Sequence, residues 1–138
     1  MGYKEELQTL EYKGTIMKIL LEAPILTQSG YGEHSRFVLR SILDQEGVEI
    51  YINPLNWGST PWSIGLDPDL EKEIDKGMKN LHSYIETSKN NSQDPVFDIQ
   101  VHVGIPSEFE KKAPYSVCVT AGIETDRVSA EWIVRTHK

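Results

Sequence analysis

The stretch Lys18–Arg40, KILLEAPILTQSGYGEHSRFVLR, decides how the fold is read. Its first part, Ile19-Leu20-Leu21-Glu22-Ala23, is nearly all apolar, as a strand covered on both faces is, and Pro24 closes it. A helix is expected from about Glu33 to Glu46. Ser35, Val38, Leu39, Ile42 and Leu43 recur at three- and four-residue spacing and mark its buried face. Glu33, Arg36, Arg40 and Asp44 line the other face, at spacings that permit i,i+3 and i,i+4 pairing. Gly47 ends the helix, as a residue with positive φ does at a helix C-terminus. Between strand and helix lies the turn Ser29-Gly30-Tyr31-Gly32.

The same reasoning extends to the rest of the chain. Residues 1–16 are a polar extension or a short helix, with only Leu7 and Leu10 to bury in Met1–Gly14, and Met17 could be a start. Val48–Ile52 reads as a second strand, stopped by Asn53-Pro54. An aromatic loop, Asn56-Trp57-Gly58-Ser59-Thr60-Pro61-Trp62, follows. Asp67-Pro68 then opens a long helix, with Asp as N-cap and Pro at the first helical position. Its apolar stripe is Leu70, Ile74, Met78, Leu81 and Ile85, while Glu71, Lys72, Asp75 and Lys79 face water. Val96–Val103 and Tyr115–Ala121 are expected strands, and Ser129 is placed to cap a last helix through Glu131, Trp132 and Val134. Strand, helix, strand, helix, strand, strand is the rhythm of an α/β domain. The expected architecture is a Rossmann-like three-layer sandwich with a small, mainly parallel sheet over residues 17–138. Because the last helix leads into no further strand, either the sheet is small or the domain is incomplete at its C-terminus.

Bulk properties narrow the function classes. The chain has 138 residues, enough for one domain with a core, with 38% hydrophobic and 25% charged residues. Its formal net charge is −7 and its basic residues are scattered, so a nucleic-acid partner, which needs a basic face, is not expected. The apolar run Ile16–Leu26 is broken by Lys18 and Glu22 and is too short to span a bilayer. No signal peptide is recognisable, and Cys118 has no second cysteine to pair with, so a cytoplasmic setting is the default expectation.

Three segments could carry chemistry. Ser29-Gly30-Tyr31-Gly32 sits between a parallel strand and a helix N-terminus, where ligands of open α/β sheets bind. Its glycines would allow positive φ and close backbone approach, and free first-turn N–H groups favour phosphate or carboxylate. The plainer reading is a tight turn that needs glycine for geometry. It is a poor dinucleotide fingerprint, since Ser35 stands where a third glycine would, and Asn53-Pro54 offers no acid for a ribose. The second segment is Thr120-Ala121-Gly122-Ile123-Glu124-Thr125, where Glu124 could meet sugar hydroxyls or a reacting centre, or simply sit on a surface loop or cap a helix. The third is His102 near the end of the third strand, able to donate to a phosphate or sugar oxygen or relay a proton, though a single strand His is more often structural. His34, at the start of the first helix, could reach the same crevice or face solvent. Trp57 and Trp62 could stack on sugar C–H faces or serve as packing residues. No metal is expected: there is no His-Glu-x-x-His or thiolate set, and Asp67-Pro68-Asp69 reads as a helix start rather than a metal-binding Asp-x-Asp. Cys118, alternating with Val117 and Val119, reads as core.

In combination, Met17-Lys18-Ile19-Leu20-Leu21-Glu22-Ala23-Pro24 and Ser29-Gly30-Tyr31-Gly32-Glu33-His34-Ser35-Arg36 resemble the opening of a GT-B-fold glycosyltransferase of the large retaining group numbered family four. Ile105–Phe109, Val119–Thr125 and Val128–Trp132 are similar to later blocks of the same amino-terminal domain, so the resemblance covers about Met17 to Trp132. It implies the acceptor-side half of a two-domain enzyme that moves a sugar from a nucleotide-sugar donor to a hydroxyl acceptor without a metal cofactor. It further implies that Gly30, Tyr31 and Gly32 form the cleft loop towards the donor phosphates; Ser29 and His34 are assigned beside them from their position at the helix start. By the same resemblance His102 lies near the transferred sugar and Glu124 and Thr125 at the acceptor side, with His102 and Glu124 as catalytic candidates; Trp57 and Trp62 are assigned to acceptor binding for their stacking faces alone. Two departures stand out. The family's Thr-x-His appears here as Thr120-Ala121-Gly122, and the donor domain, with its basic residues and paired glutamates, is absent from the sequence. The chain alone is therefore expected to be inactive, its donor side supplied by a missing C-terminal domain or a self-associating partner. The alternative expectation is a stand-alone Rossmann-like module that binds a nucleotide or sugar without catalysis; a third is a small nucleotide-dependent enzyme with a complete sheet.

Overall fold

Four strands form one sheet in the computed structural model, which describes residues 16–62, 65–121 and 130–136. In chain order these are β1 (Met17–Ala23), α1 (Gly30–Leu43), β2 (Val48–Pro54), α2 (Pro68–Asn90), β3 (Ile99–Val103), a 3-10 turn (Pro106–Glu108), β4 (Tyr115–Val119) and α3 (Ala130–Thr136). Every strand pairing is parallel and the order is β2-β1-β3-β4. The fold is thus α/β, a small parallel sheet flanked by helices, consistent with a Rossmann-like three-layer sandwich. No helix among the described residues is long and apolar enough to cross a membrane.

Register explains why the strands are so apolar. Leu21 lies level with Ile52 on one side and Val101 on the other, so these residues share a face. That face forms the main core, in which Leu21, Ala23, Ile52 and Val103 join Leu39 of α1 and Leu70 and Ile74 of α2. Full burial of each large side chain contributes about 1.5–3 kcal/mol. On the opposite face Leu20 and Tyr51 meet Phe97 and Ala113, with Leu81 and Tyr84 from the second half of α2 packed against them. Helix α2 therefore serves both clusters while lying against the edge strand β2.

Several boundaries differ from the sequence expectation for identifiable reasons. Helix α1 begins at Gly30, not Glu33, because the Ser29 hydroxyl accepts the Gly32 N–H and caps it there. Gly47 has positive φ at +71, but it does not end the helix: α1 closes earlier, at Leu43, with Asp44 as its C-cap. Arg36 does not face water: it is buried, and its guanidinium donates to the carbonyls of Ile25 and Thr27 at 2.9 and 3.1 Å. Strand β3 starts at Ile99 rather than Val96, because Val96 exchanges both backbone hydrogen bonds with the Tyr84 hydroxyl. Asp67 occupies the N-cap position of α2, with Pro68 at the first helical position, but its side chain makes no capping bond.

The stripe of α2 also contains a residue that periodicity in large apolar side chains does not mark. Gly77 is buried, and a Cβ there would lie 2.5 Å from Ile52 Cδ1, with Ile52 itself fully enclosed. Gly77→Ala raises helix propensity by about 1 kcal/mol, yet overpacking a closed core costs roughly 1–3 kcal/mol. A net loss of stability is expected, read as a lower urea midpoint at neutral pH.

Candidate functional site

A parallel sheet presents all its carboxyl ends on one edge, here Ala23, Pro54, Val103 and Val119. The chain steps from β1 to β2 on one side and then returns past β1 to β3, so the topological switch point lies between β1 and β3. Glu22 and His102 stand level with each other there, one on each strand.

Glu22 is 4% exposed, and an unpaired carboxylate at that depth would be costly. Its partners come from three other segments. Asn53 Nδ2 donates to Oε2 at 3.0 Å, Gln100 Nε2 to Oε1 at 2.7 Å, and Lys112 Nζ to Oε2 at 2.7 Å. His102 Nδ1 faces Oε1 at 3.9 Å. Burial alone would raise the Glu22 pKa, but His102, Lys112 and Asn53 around the carboxylate, with the Lys112 charge, bring it down to about 2. Gln100, fully buried, ties the network to the following loop. Its Nε2 also donates to the Glu110 carbonyl, and its Oε1 accepts from the Lys112 N–H and the Ser116 hydroxyl. The amide thereby uses both donors and both acceptor positions.

His102 differs from its neighbours. It is 3% exposed, packs edge-on against Phe109 at 5.7 Å between ring centroids, and has no hydrogen-bond partner on either ring nitrogen. Together with Glu22 it borders a cleft of about 260 Å³ whose other polar walls are Asn53, Asn56, Glu108, Glu110 and Lys112. Of these groups only His102 is readable from sequence as a candidate. The available signal for Glu22 is a lone acid in an otherwise apolar parallel strand; Lys112 and Asn56 carry none.

The turn Ser29–Gly32 is built differently from the expectation. Neither glycine has positive φ; both lie in the first turn of α1. Gly32 is required by packing, since a Cβ there would collide with the Thr27 carbonyl, whereas one on Gly30 would meet nothing. Ser29 is occupied as the cap and is also bonded to Thr27 Oγ1 at 2.8 Å. Tyr31 crosses the carboxyl edge: its hydroxyl lies 3.2 Å from Thr120 Oγ1 and accepts the Ala121 N–H at 3.1 Å, ending β4 at Val119 instead of Ala121. Its ring meets Trp57 at 4.2 Å between centroids. Trp62 pairs its backbone with Thr27 and leaves its side chain largely exposed. His34 is exposed beside Phe37, in a shallow depression with Arg40 and Asp67 that shares no residue with the His102 cleft. Glu124 and Thr125 lie outside the described residues. Cys118 is half-buried, and burial pushes its thiol pKa up, which suits a packing residue. Among the described residues no group of three or more His, Cys, Asp or Glu side chains is assembled to hold a metal ion.

No family model, no curated protein and no solved structure matches this chain.

Two outcomes follow from this geometry. The native Glu22 pKa of about 2 lies below the ordinary value of 4.5, so its contribution is complete above pH 4.5 and is lost as pH falls towards 2. A difference of that size corresponds to about 3 kcal/mol. Glu22→Gln is expected to be destabilised at pH 7 and to show a flatter stability profile between those pH values, measured by urea unfolding. In the turn, Gly32→Ala should lose at least about 1 kcal/mol through the Thr27 clash, while Gly30→Ala should unfold at or above the parent temperature by calorimetry.

Proposed function

We propose that this chain is the acceptor-side, Rossmann-like domain of a sugar-transferring enzyme, with the cleft beside Glu22 and His102 as its carbohydrate-binding surface. The observation carrying this reading is the cleft itself. It lies at the switch point, where open α/β sheets take ligands, and its walls include carboxylate, amide and ammonium groups. Sugar hydroxyls both donate and accept, and such a lining answers both needs. The half-buried Trp57, held against Tyr31 on the same sheet edge, adds an aromatic face for sugar C–H groups.

In this reading the donor is a nucleotide-sugar and the acceptor a hydroxyl compound. Ser29–Gly32 and His34 are assigned to donor binding, and Trp57 and Trp62, with Thr125 from the sequence reading, to acceptor binding. Glu124, like His102, is a candidate catalytic group. A leaving diphosphate calls for positioned positive charge. The cleft offers Lys112 alone, already bonded to Glu22, so that charge would come from a separate donor domain or partner.

The test is a titration of the 138-residue chain with glucose, maltose, UDP-glucose and NAD, followed by NMR of backbone and histidine resonances. Sugars should perturb His102, Asn53 and Trp57 and NAD should not, with Trp57→Ala weakening sugar binding by about three- to tenfold, the scale of one aromatic contact. Assays with nucleotide-sugars should give no turnover by the chain alone. A response to NAD with none to any sugar would sink the proposal, and measurable transfer by this chain would sink the division between two domains. A stand-alone sugar-binding module predicts the same binding, but with no gain of turnover when a donor domain is supplied.

A further inference from the structure

The sheet ends differently on its two sides. Strand β2 carries Glu49, closes on Pro54 and has α2 packed against it, features of the kind that keep edge strands from pairing with other chains. Strand β4 has neither charge nor proline within Tyr115–Val119, and among the described residues no strand lies beyond it. It sits in the run Ala113–Ala121, which holds no charged residue in a chain of net charge −7.

One row of side chains shows what the open edge leaves unfinished. Ile52, Leu21, Val101 and Val117 stand level on the main core face, one on each strand. Ile52 and Leu21 are fully buried and Val101 half-buried, whereas Val117 is 51% exposed. Tyr115, two residues back on the same face, is 75% exposed. Helix α1 packs over β1 and β3 and reaches the end of β4 only through Tyr31. The backbone is open as well. The Gly104 N–H donates to the Val119 carbonyl at 3.0 Å, so Val119 turns its main-chain groups towards β3. By alternation Tyr115 and Val117 do the same, and the N–H and C=O groups of Ser116 and Cys118 point outward.

We infer that the β4 edge docks a second copy of this chain, antiparallel, about a two-fold axis at Val117. In that register Val117 meets its symmetry mate, Tyr115 meets Val119, and Ser116 and Cys118 exchange both main-chain hydrogen bonds. Pro114 falls opposite Thr120, and its missing N–H stops the ladder there. Symmetry selects this occupant. A two-fold contact sets residues near the axis against their own mates, so any charge there repels itself, and an uncharged run is the composition such a contact needs. The apolar row then continues from one copy into the next. With five residues a side, the contact belongs to the small, reversible class. Antiparallel pairing also sends the two carboxyl edges in opposite directions. The second copy therefore leaves the Glu22–His102 cleft open and supplies no charge to it, and the inference stands apart from the carbohydrate reading.

Sedimentation equilibrium of the 138-residue chain, from about 10 µM to about 1 mM to span weak affinities, should show reversible exchange between monomer and dimer. Val117→Lys sets two ammonium groups against each other on the axis and should weaken the dimer by about tenfold or more. Phe37→Lys, at an exposed position on α1, should leave it unchanged. Val117→Cys in a Cys118→Ser background should cross-link on mild oxidation, because directly opposed residues of a non-hydrogen-bonded pair lie about 4.5 Å apart between Cα atoms, within disulfide reach. Phe37→Cys in the same background should not. Circular dichroism checks the fold of each variant, and the cross-link decides the case if Val117→Lys does not fold. A chain that stays monomeric up to about 1 mM overturns the inference. So does a dimer that folded Val117→Lys leaves intact, or one that fails to cross-link through position 117.

Discussion

The Glu22 carboxylate is the constraint around which the carboxyl edge is arranged. A charged oxygen pair with 4% exposure cannot be left to water, and the neighbours in its own strand, Leu21 and Ala23, are apolar. Every group that satisfies it must therefore arrive from elsewhere in the chain. Asn53 comes from β2, Gln100 and His102 from β3, and Lys112 from the segment leading into β4. The carboxylate thus ties together the parts of the sheet edge on which a ligand would rest. Gln100 extends the tie by holding Glu110 and Lys112 through their backbone, so the loop that walls the cleft has a fixed position relative to the strands.

This gives the two faces of the sheet different characters. One is a cluster of Leu, Ile, Val and Ala closed by α1 and α2, whose burial contributes hydrophobic stabilisation. The other begins with an apolar patch of Leu20, Tyr51, Phe97 and Ala113 and turns polar along the strands, through Gln100 and Glu22 to His102. Polar groups buried in such a network are sensitive to the loss of any member, because each removal leaves a desolvated partner. His102 departs from that rule, since neither of its ring nitrogens has a hydrogen-bond partner.

The turn before α1 illustrates how a functional-looking motif can be set by packing. Gly32 is small because the Thr27 carbonyl lies where its Cβ would be, and Ser29 is spent on the cap. Arg36 holds the entry segment by donating to Ile25 and Thr27, a duty that its place on the helical wheel conceals. What the turn contributes to the edge is Tyr31, which links the end of β4 to Trp57.

The sequence by itself determined the α/β class, the parallel strands and the apolar helix stripes, because these follow from local periodicity and from short-range signals such as Pro68. It also marked His102, a polar residue at the end of an apolar strand. Only the tertiary structure decided that Glu22 is the hub of a buried polar network, since its partners lie 31 to 90 residues away and no spacing rule joins them. The starts of α1 and β3 were decided in the same way, by the Ser29 hydroxyl and by Tyr84. Propensity gives the preferred state of each segment; the cost of leaving a buried donor, acceptor or charge unpaired selects which distant residue completes it.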